Sequence, residues 1–112
     1  MKRFLGEKKV ARIYIDNQDK HHGKPLWEEI LKRAKKSGLA GATVFKGISG
    51  IGVGGEIHSF NVWSISQKLP LVIEIIDDEK KVLDFLEMID DIVDEGMTTL
   101  GDTEVIRYKH RQ

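Results

Sequence analysis

The run Leu71-Val72-Ile73-Glu74-Ile75-Ile76 constrains this chain more than any other segment. It is almost entirely β-branched or bulky and apolar. Pro70 closes it on one side and Asp77-Asp78 on the other, so it reads as a strand. A strand this continuously apolar needs cover on both faces, which places it in the middle of a sheet. The rest of the chain must supply that sheet and its cover.

The 112 residues suit one domain, read here as residues 1–112. A second strand candidate is Val10 to Ile15, Val-Ala-Arg-Ile-Tyr-Ile. Asp16 to Gly23 is polar and reads as a loop. Pro25 suits the first position of a helix, and Leu26, Trp27, Ile30, Leu31 and Ala34 follow at helical spacing. Glu28 and Glu29 fall in its first turns and Lys32, Arg33, Lys35 and Lys36 in its last, matching the helix dipole. Gly38 is a natural stop. Gly41 to Gly47 is a strand candidate that leads into a long glycine-bearing loop. Ile57 to Ser66 suggests an extended hairpin arm within it. Asp78 to Glu95 is predicted as the second helix, with Val82, Phe85, Leu86, Ile89 and Val93 as its stripe. Thr103 to Lys109 is the last strand expected.

The order strand, helix, strand, strand, helix, strand is the ferredoxin-like βαββαβ plan, an α+β sandwich. The two most apolar strands, first and third, are its central pair, expected to run parallel. Ala11, Ile13 and Ile15 form the helix-facing set, leaving Arg12 and Tyr14 on the opposite face. Arg12 and Glu74 are expected to pair there. A half-apolar open face calls for a partner surface, since sheets bury their apolar side somewhere.

Equal numbers of basic and acidic residues, 18 of each, give no whole-molecule attraction to nucleic acid or anionic membrane. With no cysteine, disulfides and thiolate metal sites are excluded. No apolar run approaches the ~20 residues of a membrane helix, and the N-terminus lacks a secretory core. The expectation is a cytoplasmic protein. Two Asn and three Gln beside many Ile, Lys and Glu are a heat-adapted pattern.

Seven of the eleven glycines lie between Gly38 and Gly55. Backbone N–H groups in Lys46-Gly47-Ile48-Ser49-Gly50-Ile51-Gly52 are candidates for an anion nest, with Lys46 adding charge. A mobile hairpin tip that binds nothing fits the same composition. Gly50, Gly52 and Gly55 match G-x-G-x-x-G, but no helical stripe follows, so the dinucleotide reading fails. His21, His22, His58 and His110 show no ligand spacing. Asp90, Asp91, Asp94 and Glu95 diverge around a helix and suit a solvated face better than a cation. No nucleophile–base pair stands out, so catalysis lacks its parts.

The plan, together with Gly41-Ala42-Thr43-Val44-Phe45-Lys46-Gly47, resembles the PII signalling superfamily. The match is to its PII-like branch of small uncharacterised proteins. Arg12-Ile13-Tyr14-Ile15, Gly23-Lys24-Pro25-Leu26, the stretch from Gly38 through Gly52 and His58-Ser59 carry it. So do Leu69-Pro70-Leu71-Val72-Ile73-Glu74 and Val105-Ile106-Arg107-Tyr108. The resemblance implies a homotrimer that binds an adenine nucleotide (AMP, ADP or ATP) in clefts between subunits and signals to a protein partner through the mobile loop. It would place Thr43 toward adenine and Gly47 through Gly52, with Lys46, on the phosphate side. Gly96 to Asp102 would form a second loop, with Arg107 offering charge.

The chain departs from typical PII proteins. The strand before Lys46 is shorter, and the loop tyrosine is absent. Of the Gly-Asp-Gly-Lys signature only Gly101-Asp102-Thr103 remains, which favours a nucleotide shorter than a triphosphate. No metal is implied. The alternatives of the same fold are a trimer binding a small anion or a divalent metal, and an acylphosphatase-like hydrolase. The metal reading is weakened by the lack of cysteine and paired histidines. The hydrolase needs an anion loop after the first strand, where Asp16-Asn17-Gln18-Asp19 repels phosphate. An RNA-binding sheet would want more aromatics on its central strands than Tyr14.

Overall fold

A computed structural model of the chain describes residues 4–51, 55–59 and 68–111. The elements are β1 (Gly6–Asp16), β2 (Lys20–His21), β3 (Lys24–Pro25), α1 (Leu26–Lys36), β4 (Gly41–Lys46), β5 (Ser49–Ile51), β6 (Ile57–Ser59), β7 (Pro70–Asp77), α2 (Glu79–Ile89) and β8 (Met97–Val105). Four strands make one sheet in the order β4-β7-β1-β8. This is the ferredoxin-like arrangement, with the two apolar strands central as their composition demands. β2 with β3 and β5 with β6 are separate two-stranded ribbons.

Alternation in β1 and β7 builds the core. Ala11, Ile13 and Ile15 meet Ile75, Ile73 and Leu71 in register, and all six are buried. Leu26, Ile30 and Ala34 from α1 and Val82, Phe85 and Ile89 from α2 close over them in one cluster. Fully burying a side chain of this size is worth about 1.5–3 kcal/mol. Among the described residues, β7 is fully covered on one face only. Leu71, Ile73, Ile75 and Asp77 are buried, whereas Val72, Glu74 and Ile76 stay half-buried.

Several boundaries differ from expectation. The central strands are antiparallel rather than parallel, because each helical crossover skips over a strand of opposite direction. Pro25 precedes α1 as its cap rather than opening it, since its extended backbone (φ −57°, ψ 128°) pairs with Lys20. α2 stops at Ile89, short of Glu95, and its last turn carries no basic residue. Asp90, Asp91, Asp94 and Glu95 would crowd negative charge onto the negative end of a longer helix. Tight turns replace it, and Ile92 still reaches the core. Gly96 to Asp102 is not a loop. β8 begins at Met97 and pairs with β1 from Met97↔Tyr14 to Val105↔Gly6. The chain leaves the ladder after Val105, so Thr103 to Lys109 is strand only in its first part. In the glycine-rich segment, Ser49–Ile51 and Ile57–Ser59 form a ribbon in which Gly50 faces His58. The arm expected beyond Ser59 and the glycines Gly52 and Gly54 lie outside the described residues.

Gly38 ends α1 at φ +73°. Directly beyond it, the Asp77 carboxylate ties two elements together. It is 3% exposed, accepting the Ala40 N–H at 2.8 Å through Oδ2 and the Asp78 N–H at 2.7 Å through Oδ1. It thereby fixes the start of β4 to the start of α2. Asp77→Ala leaves the Ala40 N–H without its acceptor, and an orphaned buried donor costs about 1–3 kcal/mol. Urea denaturation should show a lower midpoint at unchanged slope. An unchanged midpoint would show that the tie contributes nothing.

Candidate functional site at the base of the glycine-rich loop

Both legs of the glycine-rich loop converge on Leu69 and Pro70. On the outgoing leg, Gly47 donates its N–H to the Pro70 carbonyl at 2.8 Å. On the return leg, the Asn17 N–H donates to the Leu69 carbonyl at 2.9 Å, and Leu69 N–H donates back to Asn17 Oδ1 at 2.9 Å. Next to this clasp, Lys68 Nζ lies 3.4 Å from Asp16 Oδ2. The Asp16 carboxylate lifts the Lys68 ammonium above its ordinary pKa by charge attraction first and hydrogen bonding second. Asp19 Oδ2 accepts the Asp16 N–H at 2.9 Å and shapes the turn after β1.

The glycines at this base serve contact. A Cβ on Gly47 would sit 2.8 Å from Pro70 Cγ, and one on Gly50 3.1 Å from it. Neither residue has a positive φ. The expected anion nest therefore does not arise at Gly47 and Gly50. One N–H is committed to Pro70, and Gly50 belongs to the β5–β6 ladder.

A cleft of about 480 Å³ opens beside this base. Tyr14 and Ile15 of β1, Pro70 and Val72 of β7 and Met97 of β8 form one side. Gly47, Ser49, Gly50, Ile51 and His58 form the other, and Asp16, Asp19, Glu95 and Gly96 complete the rim. The β5–β6 ribbon is held by its ladder and by a 2.9 Å contact between the hydroxyls of Ser49 and Ser59. Gly96 is obligatory here. Its φ is +139°, and a Cβ would lie 2.3 Å from the Tyr14 carbonyl oxygen.

Of the residues expected to serve a ligand, Gly47 and Gly50 line the cleft. Lys46 adjoins it but pairs with Leu71, on the helix side of the sheet. Thr43 lies opposite Glu74 on the open face. Gly52 is outside the described residues. Arg107 follows Val105, which pairs with Gly6, so it sits at the far end of the sheet from the cleft of its own chain. The resemblance placed Gly96 and Met97 in its second loop, but the residue pattern itself gave neither them nor Pro70 or Asp19 a place in a cleft. The Leu69-Pro70 dipeptide entering the strongest strand was the available signal. The other three reach the cleft only through the pairing of β8 with β1 and the turn after Asp16.

The open face carries the expected Arg12–Glu74 pair, with Nε 3.0 Å from Oε2. Its side chains are 45% and 22% exposed in the single chain. Thr43 and Thr99 flank the pair through register. Phe45, Val72, Tyr14 and Met97 form the adjacent apolar row, and Phe45 and Met97 are at least half exposed. At the other end, the rings of Phe4 and Tyr108 meet at a tilt of 56° with their centres 4.7 Å apart. The Phe4 ring lies 5.2 Å from Lys8 Nζ. Among the described residues no group of His, Asp and Glu is placed to hold a metal, and no helix is long and apolar enough to cross a membrane.

Residues 8–105 match DUF190, "Uncharacterized ACR, COG1993". The chain belongs to the DUF190 family. A UPF0166 protein of Aquifex aeolicus is 43% identical over 89% of this chain and 94% of its own length. A second, from Methanocaldococcus jannaschii, is 33% identical over 88% of this chain and 92% of its own. Among solved structures, CPII from Thiomonas intermedia K12, a nitrogen regulatory PII-like protein bound to ADP, AMP and bicarbonate, aligns with a TM-score of 0.70 at 20% identity, covering 92% of each chain. CPII bound to ADP and bicarbonate gives 0.69 at 19% identity, again over 92% of each chain. This DUF190 chain therefore has the PII-like fold.

Replacing Gly96 with Ala in this DUF190 chain forces both a φ penalty of about 1–2 kcal/mol and a backbone clash. Thermal denaturation should show a drop of several degrees. Gly101→Ala is the control, because its Cβ would meet only Val10 Cγ1 at 3.6 Å. Equal melting temperatures for the two variants would refute the steric assignment.

Proposed function

We propose that this protein is a cytoplasmic, trimeric regulatory protein that binds an adenine nucleotide at the base of its glycine-rich loop, between subunits, and passes the bound state to a protein partner through that loop. The observation that carries this reading is the fold shared with CPII along nearly the whole chain, with a cleft of nucleotide size at the loop base. Gly47 and Gly50 belong to that cleft. In a trimer, Thr43, Lys46 and Gly52 would flank the ligand from the same edge, and Arg107 would come from a neighbouring subunit. The open face, with its ion pair and apolar row, is the surface that assembly would cover. The role is non-enzymatic and takes no metal.

Isothermal calorimetry with AMP, ADP and ATP tests the ligand. At least one should bind saturably below about 1 mM, the weak end of specific recognition. Failure of all three leaves the small-anion alternative, for which bicarbonate is the titrant.

The ion pair tests the assembly. Exposed pairs are worth about 0–1 kcal/mol, whereas breaking a desolvated pair costs about 3–5 kcal/mol. If the trimer buries the open face, Arg12→Ala should dissociate it in native mass spectrometry and lower the melting temperature strongly. An Arg12→Ala protein that stays trimeric and equally stable would contradict burial of this face, and a monomeric wild type would sink the trimer itself.

A further inference from the structure

The chain's charge is balanced in total but not in place. From Asp84 to Glu95 the sequence holds six acids and no Lys or Arg, and after Val105 it holds Arg107, Lys109 and Arg111 and no acid. The acidic stretch borders a groove of about 370 Å³ between the end of α2 and the start of β8. Leu86, Ile89 and Val93 form its apolar floor, and Asp90, Asp94 and Glu95 its rim. Asp84 is paired with Lys80, and Asp91 lies 3.8 Å from Arg33, but among the described residues no cation pairs with the three rim carboxylates. The basic tail is equally unanswered. Arg107, Lys109 and Arg111 are exposed, with no carboxylate partner among the described residues. Tyr108 pins the tail, its hydroxyl donating to the Ala40 carbonyl at 3.4 Å. The tail cannot reach the groove of its own chain. β8 runs from Met97 beside Tyr14 to Val105 beside Gly6, about 27 Å at the rise of a strand. The segment from Tyr108 to Arg111 spans only about 10 Å when extended.

Resting on the trimeric reading above, we propose that the tail from Lys109 to Arg111 of one subunit docks in the acid-rimmed groove of its neighbour. Lys and Arg carry long aliphatic stems below their charges. The stems lie over Leu86, Ile89 and Val93, and the charged ends meet Asp90, Asp94 and Glu95. The occupant is a second copy of this chain, because the complementary charge is an exposed segment of the same sequence, held at a fixed point by Tyr108. Tail and groove are different surfaces. Each subunit gives one and receives one, and a closed ring satisfies both without free ends. The groove shares Glu95 and Gly96 with the cleft at the loop base, so a seated tail also carries Arg107 toward the ligand. A pair of unit charges about 4 Å apart is worth roughly fivefold in affinity even at the dielectric of water.

Charge reversal tests the contact, with dissociation followed by sedimentation in the urea concentration that half-dissociates the wild-type trimer. Arg107 and Glu95 are left in place, so the ligand cleft keeps its residues. Lys109→Glu with Arg111→Glu, or Asp90→Lys with Asp94→Lys, should each raise the subunit concentration at half-dissociation about tenfold or more, since attraction becomes repulsion. Combining all four substitutions sets opposite charges face to face again. That quadruple variant should return to within about threefold of the wild type, the non-additivity expected of groups in contact. Its recovery excludes a general loss of stability, because it carries every substitution of the two double variants. Double variants as trimeric as the wild type, or a quadruple variant no better than the doubles, would overturn the proposal and leave the trimer standing. Weakening by only one of the two reversals would show tail and groove engaged elsewhere and overturn it as well. A wild type that is monomeric without urea brings down both readings.

Discussion

The ladder between β1 and β7 organises the molecule. Eight residue pairs, from Lys9↔Asp77 to Asp16↔Pro70, lock the two most apolar strands together. Because side chains alternate along a strand, one register decides three things. Ile13 and Ile73 meet beneath the helices, Arg12 and Glu74 meet on the open face, and Asp16 and Pro70 meet at the cleft end. A slip of one residue would exchange the buried and open sets. Core, ion pair and cleft therefore share a single geometric cause.

The same ladder explains why the cleft has its composition. Where β1 ends, Asp16 and Asp19 turn the chain toward α1. Where β7 begins, Pro70 receives the loop. Carboxylates and an apolar ring are thereby placed side by side by connectivity. The ion pair of Lys68 with Asp16 balances part of that charge. Gly47 completes the arrangement by letting the outgoing leg lie against Pro70 at a distance a Cβ would forbid, and Gly50 by fitting where a Cβ would be crowded.

Much of this is legible in the residues themselves. The alternation of Ala11, Ile13 and Ile15 and the stripe from Val82 to Ile89 are direct statements about faces. Joined to the βαββαβ plan they lead to the strand order, the core and the Arg12–Glu74 pair, but not to the antiparallel direction of the central strands. Three features were hidden for definite reasons. Met97-Thr98-Thr99-Leu100 lies between Gly96 and Gly101, so turn punctuation masks a strand that only pairing with β1 reveals. Val93 continues the helical spacing from Ile89, so the stripe runs past the point where acidic residues end α2. Asp77 reads as a turn residue, and its burial depends on Ala40 arriving from 37 residues away. In the site, Gly47 and Gly50 drew attention as possible phosphate ligands. Their actual neighbour, Pro70, is 20 or more positions further on.

The clasp at Leu69 and Pro70 also separates the economy of the loop from that of the sheet. Its two feet are joined by hydrogen bonds belonging to the core, so the intervening chain is a closed ring whatever its length. Closing such a ring costs only about 0.6 kcal/mol more for each doubling of its residues. Length and sequence between Ile48 and Lys68 can therefore change with little consequence for folding. The domain is a fixed socket into which arms of different reach can be set without redesigning the body that carries them.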